Sequence, residues 1–491
     1  MAASQKKSFA ALVLLLAATA VHADYRDDIG LTRLRNALGA AMPTGAGVSV
    51  TQVEAPERYI DSTYPVYAPN PSNGQFTGKT ITFPDGNPSG TFSGHATGVG
   101  NLFYGTNSSS APGITAIKAY EVNSWLTDIG TASVSTSMVA RVANHNWIGS
   151  AYDTSTGDAG NSTALRLVDR LVYWQQYIQA VAMNNDIGDN EPLLGSAFNV
   201  IAVGKADGNS SRGSVGLSGD PVYVAGRTRP DLVAPANFTS ATTPMVSAAA
   251  ALLVQTGHQG GLTLSHGSTE VSGVGTIYNA ERSETIRAAL MAGADRATAN
   301  TSVAANITDY GAAGHRTSNG LDDRYGAGQL DVYNSYRILA AGEQESGSTI
   351  GAAGFDFEAS FGGSGGSARL ATYDFTAATD EMLTASLVWN LGVDNNAGLA
   401  TTFYHMGLSL IDLGTGDTVA SSNSLLDNTQ NLWMDLFGGH TYQLRVSALD
   451  ATNFSWGYAL AWNTSPVPVP AAVWLFASAM AGLFGVSARR R

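Results

Sequence analysis

The stretch RPDLVAPANFTSATTPMVSAAAALLVQTG, residues 229–257, ends in an Ala/Leu/Val run with the spacing of a long helix over 244–255. Ser240 lies just ahead of that run, and Pro244 is acceptable in a first helical turn. A serine at such a place is ordinarily an N-cap. Short apolar runs at 47–53, 114–120, 177–183 and 199–206 read as strands, and helical patterns at 131–144 and 164–176 lie among them. Strands alternating with helices of this length predict crossover units on a mainly parallel sheet, an α/β domain. A helical spacing over 28–41 precedes the unit, and helical patterns over 283–292 and 330–341 close it.

After Gly342 the pattern changes. Runs at 382–389, 406–413, 440–449 and 456–462 alternate apolar and polar residues between turn signals, which predicts a β-sandwich over 343–464. Its tryptophans, Trp389, Trp433, Trp456 and Trp462, read as core rather than as a carbohydrate platform. Asp394-Asn395-Asn396, or Asp412 with Asp417, could supply oxygens to a structural calcium, although turn residues look the same. No other cofactor is implied, and no His/Glu spacing supports catalytic zinc.

The two ends have another character. Residues 1–23 combine Lys6 and Lys7, an apolar run and a small residue at Ala23, the pattern of a signal peptide. Residues 465–491 combine a Pro-spaced motif (467–471), eighteen uncharged residues from Ala471 to Ala488, and Arg489–Arg491. That length is just enough for a transmembrane helix with the arginines on the cytoplasmic side. The ends hold five basic and no acidic residues, so the net charge between them falls from −13 to −18. Only Lys79, Lys118 and Lys205 remain there as lysines, and no basic cluster offers a nucleic-acid footprint. The absence of cysteine excludes thiol catalysis, Cys-ligated metals and disulfides.

Three segments carry chemistry. His95 stands in SGHATGVGN among Gly94, Gly98 and Gly100; Glu54 follows the strand-like GAGVSVTQV; Ser240 precedes its helix. Alone they read as a loop histidine, a solvated acid at a strand end and an N-cap. Their order of acid, histidine, serine is that of the subtilisin-type triad. The chain resembles the subtilases, the subtilisin-like serine peptidases. GAGVSVTQVE is similar to G-x-G-V-x-V-A-V-I-D, GHATGVG to G-H-G-T-H-V-A-G, and TSATTPMVSAAAALL to G-T-S-M-A-A-P-x-V-A-G-A-A-A-L-L. VAMNND, NVIAVGKAD, RPDLVAPA and RYGAGQLDVYNSYRILAAG resemble further segments in the family's order, over residues 24–342.

The resemblance implies a three-layer subtilisin-like domain over 24–342 and a serine endopeptidase acting on polypeptides. Ser240 would be nucleophile, His95 general base, and Glu54 the acid where the family has Asp. Asn185 would be the side-chain oxyanion donor, with Asn184 as alternative, beside the Ser240 backbone N–H. The tail resembles the PEP-CTERM sorting signal in its V-P-x-P-A form. It implies an exosortase-type processing enzyme, transient anchoring in the inner membrane, and a surface or extracellular destination in a Gram-negative bacterium.

Departures from the family pattern set a second reading beside the first. Glu54 is one methylene longer than Asp, with Asp61 and Asp85 as nearby substitutes. Phe238 stands where the family has Gly ahead of Thr-Ser, and a Gly-only conformation there would strain the serine loop. The alternative is a subtilase-fold surface or matrix binding protein that has lost catalysis.

Overall fold

The computed structural model describes residues 24–131, 140–150, 157–188, 190–302, 304–363 and 365–466. The expected leader (1–23) and the sorting motif with its apolar run (467–491) lie outside them. Among the described residues no helix is long and apolar enough to cross a membrane.

Seven parallel strands form the central sheet. From edge to edge they are Thr80–Thr82, Ala116–Glu121, Val50–Glu54, Val142–His145, Ile178–Ala182, Ile201–Lys205 and Leu232–Ala234. Val50–Glu54 lies between two partners in register, Val53 opposite both Tyr120 and His145, and all five of its residues are buried. Two apolar clusters cover the two faces, one built around the helix Thr239–Gly260, the other around Trp125, Leu165, Val168 and Leu171. A parallel sheet covered on both faces is the expected α/β solution.

One expected helix is wrong. Residues 131–144 were expected to be helical, but the helix is Val122–Thr131 and Val142–His145 is a sheet strand beside Val50–Glu54. The apolar spacing around VANH fits either period, and its place inside the sheet decides the matter. The expected 28–41 helix is broken as well: Gly30, at φ +75°, separates Tyr25–Asp28 from Leu31–Leu38.

Beyond residue 343 two sheets face each other. One holds Ser348–Thr349, Leu370–Thr376, Thr441–Ala448, Met406–Asp412 and Thr418–Ser422; the other holds Ala353–Phe361, Trp456–Pro466, Glu381–Val388 and Thr429–Leu436. Tyr373, Leu408, Leu410 and Leu444 of the first meet Leu383, Leu387, Leu460 and Trp462 of the second in one core.

The outer face of the second sheet is not solvated. Phe355, Phe357, Val388, Ala459 and Ala461 belong to the apolar cluster of the α/β unit, and every residue of the helix Ser283–Gly293 is buried. A helix buried all round needs cover on every side, and this sheet supplies the outermost. Thr384 Oγ1 donates to Ala292 O (2.7 Å), Asn199 exchanges two bonds with the Leu391 backbone (2.8 and 2.9 Å), and Thr228 N–H donates to Asp427 (2.8 Å). Trp389 and Trp462 are core, whereas Trp456 stacks on Tyr173 and Trp433 meets Tyr310 edge-on, sealing the junction.

A chain ending at Gly342 would therefore expose this helix, and we expect it to aggregate or lose cooperative folding. The 24–466 protein should unfold in one thermal transition followed by circular dichroism. A soluble 24–342 fragment with a native-like transition would contradict this.

Candidate active site

The carboxyl end of Val50–Glu54 delivers Glu54 to the sheet edge, where ligands of open α/β sheets gather. Its side chain is 2% exposed, and Oε2 lies 3.0 Å from His95 Nδ1. His95 sits in the first turn of Gly94–Tyr104, so the expected glycine-rich loop is a helix. Ser93 is the N-cap, its Oγ accepting from Ala96 N–H at 3.0 Å. Glu57 adds a second cap, accepting from Ser93 Oγ at 2.6 Å and from His95 N–H at 3.4 Å. The bond to Glu54 raises the His95 pKa above the usual histidine value, against the opposing effect of burial, with the Glu54 and Glu57 charges adding to the rise. Burial pushes Glu54 up, and its bonds from His95 and Gln52 work against that rise.

Ser240 is the second residue of the helix Thr239–Gly260, not its N-cap; Phe238 holds that position. Phe238 has φ −136° and ψ 142°, extended backbone open to any residue, so no strain arises where glycine was expected. Its side chain projects outward, 61% exposed.

Pro244 lies inside the helix, four residues after Ser240, and has no N–H for the Ser240 carbonyl. Asn146 Nδ2 donates to that carbonyl instead, at 3.0 Å. Asn185 Oδ1 accepts from Thr239 N–H (2.8 Å), while Ala241 and Thr242 N–H bond to Phe238 O. Among the described residues the Ser240 N–H and the Asn185 amide N–H group keep no partner. Two donors are thus free at a helix N-terminus, a place that favours negative charge. Asn184 is buried and bonds through its backbone to Ser211, away from this helix, which separates the two asparagines. No hydrogen bond joins Ser240 Oγ to His95 among the described residues.

Asp61 sits in the turn between Arg58–Ile60 and Tyr64–Val66, and Asp85 bonds to Tyr67 OH and the Glu121 N–H, so neither reaches His95. Two of the calcium candidates are already hydrogen-bonded, Asp412 at the end of the strand Met406–Asp412 and Asp394 in a loop. Asp412 is engaged by His440 (2.7 Å) and Gly414 N–H (2.8 Å), and Asp394 by Asn396. His315, Asp322 and Asp323 come together elsewhere, but Arg324 and backbone N–H groups already saturate Asp322. Such a carboxylate is a poor cation ligand.

An apolar cavity of about 470 Å³ begins at Ala55 and Pro56, directly after Glu54. Tyr59, Leu126, Trp147, Ile148, Leu167 and Leu193 wall it, with no charged side chain among the described lining residues. Trp147 is held from below. Its indole N–H donates to His145 Nδ1 at 3.3 Å, and His145 Nε2 meets Gln179 Oε1 at 3.0 Å. Burial drives the His145 pKa down to about 3, so it stays neutral and can accept. The sequence reading missed Gln52, Glu57, Asn146 and His145. Only Gln52 left a trace, as a polar residue two positions before Glu54 on the same strand face.

No family model matches the chain, and no curated protein does. Solved structures similar to parts of it include a cold-adapted subtilisin-like serine proteinase, 17% identical, over 59% of this chain and 90% of its own, with a TM-score of 0.34. The S41 psychrophilic protease is 16% identical over 62% of this chain and 97% of its own, at 0.38. The nisin leader peptidase NisP from Lactococcus lactis is 16% identical over 64% and 92%, at 0.35.

Proposed function

We propose that the chain is an exported serine endopeptidase of the subtilisin type, with Ser240, His95 and Glu54 as its triad. The observation that carries this is the His95–Glu54 contact at 3.0 Å, in a protein whose Ser240 N–H is free at a helix N-terminus. In this reading Ser240 Oγ attacks the scissile carbonyl carbon while His95 Nε2 takes its proton. The Glu54 carboxylate stabilises the imidazolium through Nδ1. The Ser240 N–H and the Asn185 amide receive the oxyanion. Collapse returns the proton from His95 to the leaving amine, and water then releases the acyl group by the same steps in reverse roles.

The absence of a Ser240–His95 hydrogen bond favours the second reading, a binding protein without catalysis. Free-enzyme geometry commonly tightens only with substrate, so a covalent probe separates the two. A fluorophosphonate should label the purified protein, and Ser240→Ala should abolish labelling. Glu54→Gln should slow peptide hydrolysis about ten thousandfold, the scale of a triad acid-to-amide change. The pH dependence has a definite sign. His95 must be neutral to act as base, and Glu54 raises its pKa. The wild-type rate therefore rises at a pH above the ordinary histidine value of about 6.5, and Glu54→Gln moves that rise to lower pH. A folded protein that takes no label supports the binding reading.

The uncharged cavity beside Glu54 supports a preference for a large apolar side chain on the substrate. Peptides bearing Phe or Leu there should exceed Asp-bearing ones in kcat/KM by about tenfold or more, and equal rates would remove this preference. The same reading has the chain exported by residues 1–23 and its tail cut by an exosortase-type enzyme after transient membrane anchoring. Mass spectrometry of the mature C-terminus tests the cut: a terminus that still carries Arg489–Arg491 contradicts it.

A further inference from the structure

Glu54 has a second partner that the triad does not require. Gln52 precedes it by two residues, on the same face of the strand, and is fully buried. Gln52 Nε2 donates to Glu54 Oε1 at 2.8 Å and to Ala96 O at 2.9 Å. Its Oε1 accepts from Tyr104 OH at 2.6 Å. Tyr104, also fully buried, closes the helix that starts beside His95. The phenol fits because residue 100 is glycine: a Cβ there would stand 2.5 Å from Tyr104 Oη and 2.7 Å from Cζ.

We propose that Gln52, itself held by Tyr104, is the positioning residue that lets a glutamate serve where a shorter acid would otherwise stand. A glutamate side chain has one more rotatable bond than aspartate, and a buried carboxylate with one unbonded oxygen is free to turn. Here each oxygen has its own N–H: Oε1 from Gln52 and Oε2 from His95. The Gln52 amide cannot flip without facing its oxygen to Ala96 O and to the carboxylate, and the tyrosine hydroxyl reinforces the same orientation. Ala96 follows His95 in the chain, so the brace ties the acid's strand to the histidine's helix. The charged groups facing His95 are Glu54 and Glu57, the latter on the following hairpin and independent of Gln52.

The inference rests on reading Glu54 and His95 as the acid–base pair, and its test does not depend on turnover. The His95 imidazole is titrated by NMR in the wild-type protein and in Gln52→Met, Tyr104→Phe and the double variant. Gln52→Met, nearly equal in volume, should lower the His95 pKa toward about 6.5, because Glu54 no longer holds its charged, aligned form. Tyr104→Phe, which removes one buried hydroxyl, should move it in the same direction by less and keeps the test alive if Gln52→Met does not fold. The double variant should match Gln52→Met, since the tyrosine acts through the glutamine. In a peptidase assay Gln52→Met should lose about a hundredfold in kcat/KM, the cost of an ångström of misplacement. A folded Gln52→Met or Tyr104→Phe protein whose His95 titrates as in wild type overturns the brace, as do independent effects that add in the double variant. A wild-type protein that hydrolyses nothing, but whose His95 responds to Gln52, overturns the peptidase reading and leaves the brace standing.

Discussion

A carboxylate withdrawn from water at the edge of a parallel sheet is the constraint around which this protein is arranged. Glu54 is almost fully buried, and such a group is tolerated only when its oxygens are hydrogen-bonded. His95 meets one oxygen and Gln52 the other. The His95 bond needs the helix Gly94–Tyr104 at a fixed distance from the strand, and Gln52, bonded to Ala96 O and to Tyr104 OH, makes that distance a matter of hydrogen bonds rather than of packing alone. The same contact biases His95 toward holding a proton.

The start of the helix Thr239–Gly260 answers a different difficulty. Pro244 deprives the partly buried Ser240 carbonyl of its helical partner, and leaving such an acceptor without a donor is unfavourable. Asn146, just beyond the strand next to Glu54, fills the gap from outside the helix. Asn185 does likewise for the Thr239 N–H. The N-terminus is thus held by side chains from two neighbouring loops while the Ser240 N–H stays open. Phe238, extended and outward, shows that this loop does not need glycine to take its course.

The second pair of sheets belongs to the same architecture. The helix Ser283–Gly293 carries Arg287, whose guanidinium bonds to Asp231 at 2.7 Å inside the α/β core. That core is closed from outside by Phe355, Phe357 and Val388. What looked in the sequence like an appended module is therefore a wall of the first unit, and its aromatic residues are spent on the seam.

Much of this was legible because it rests on local rules. Strand periods, the helix after Ser240, the alternation beyond Gly342 and the order of Glu54, His95 and Ser240 are properties of short segments, and short segments are what a sequence displays. VANH, with both periods compatible, was misread as helix because only its neighbours across the sheet distinguish the two. The sequence by itself determined an acidic, cysteine-free α/β chain with a β-rich second half and a candidate acid, base and nucleophile in a telling order. Only the tertiary structure decided that Asn185 rather than Asn184 meets the Ser240 helix, that Phe238 is unstrained, and that Gln52 and Tyr104 hold Glu54 in place. The first and last of those facts depend on hydrogen bonds between residues 44 to 54 positions apart, and no period or spacing along the chain records such a distance.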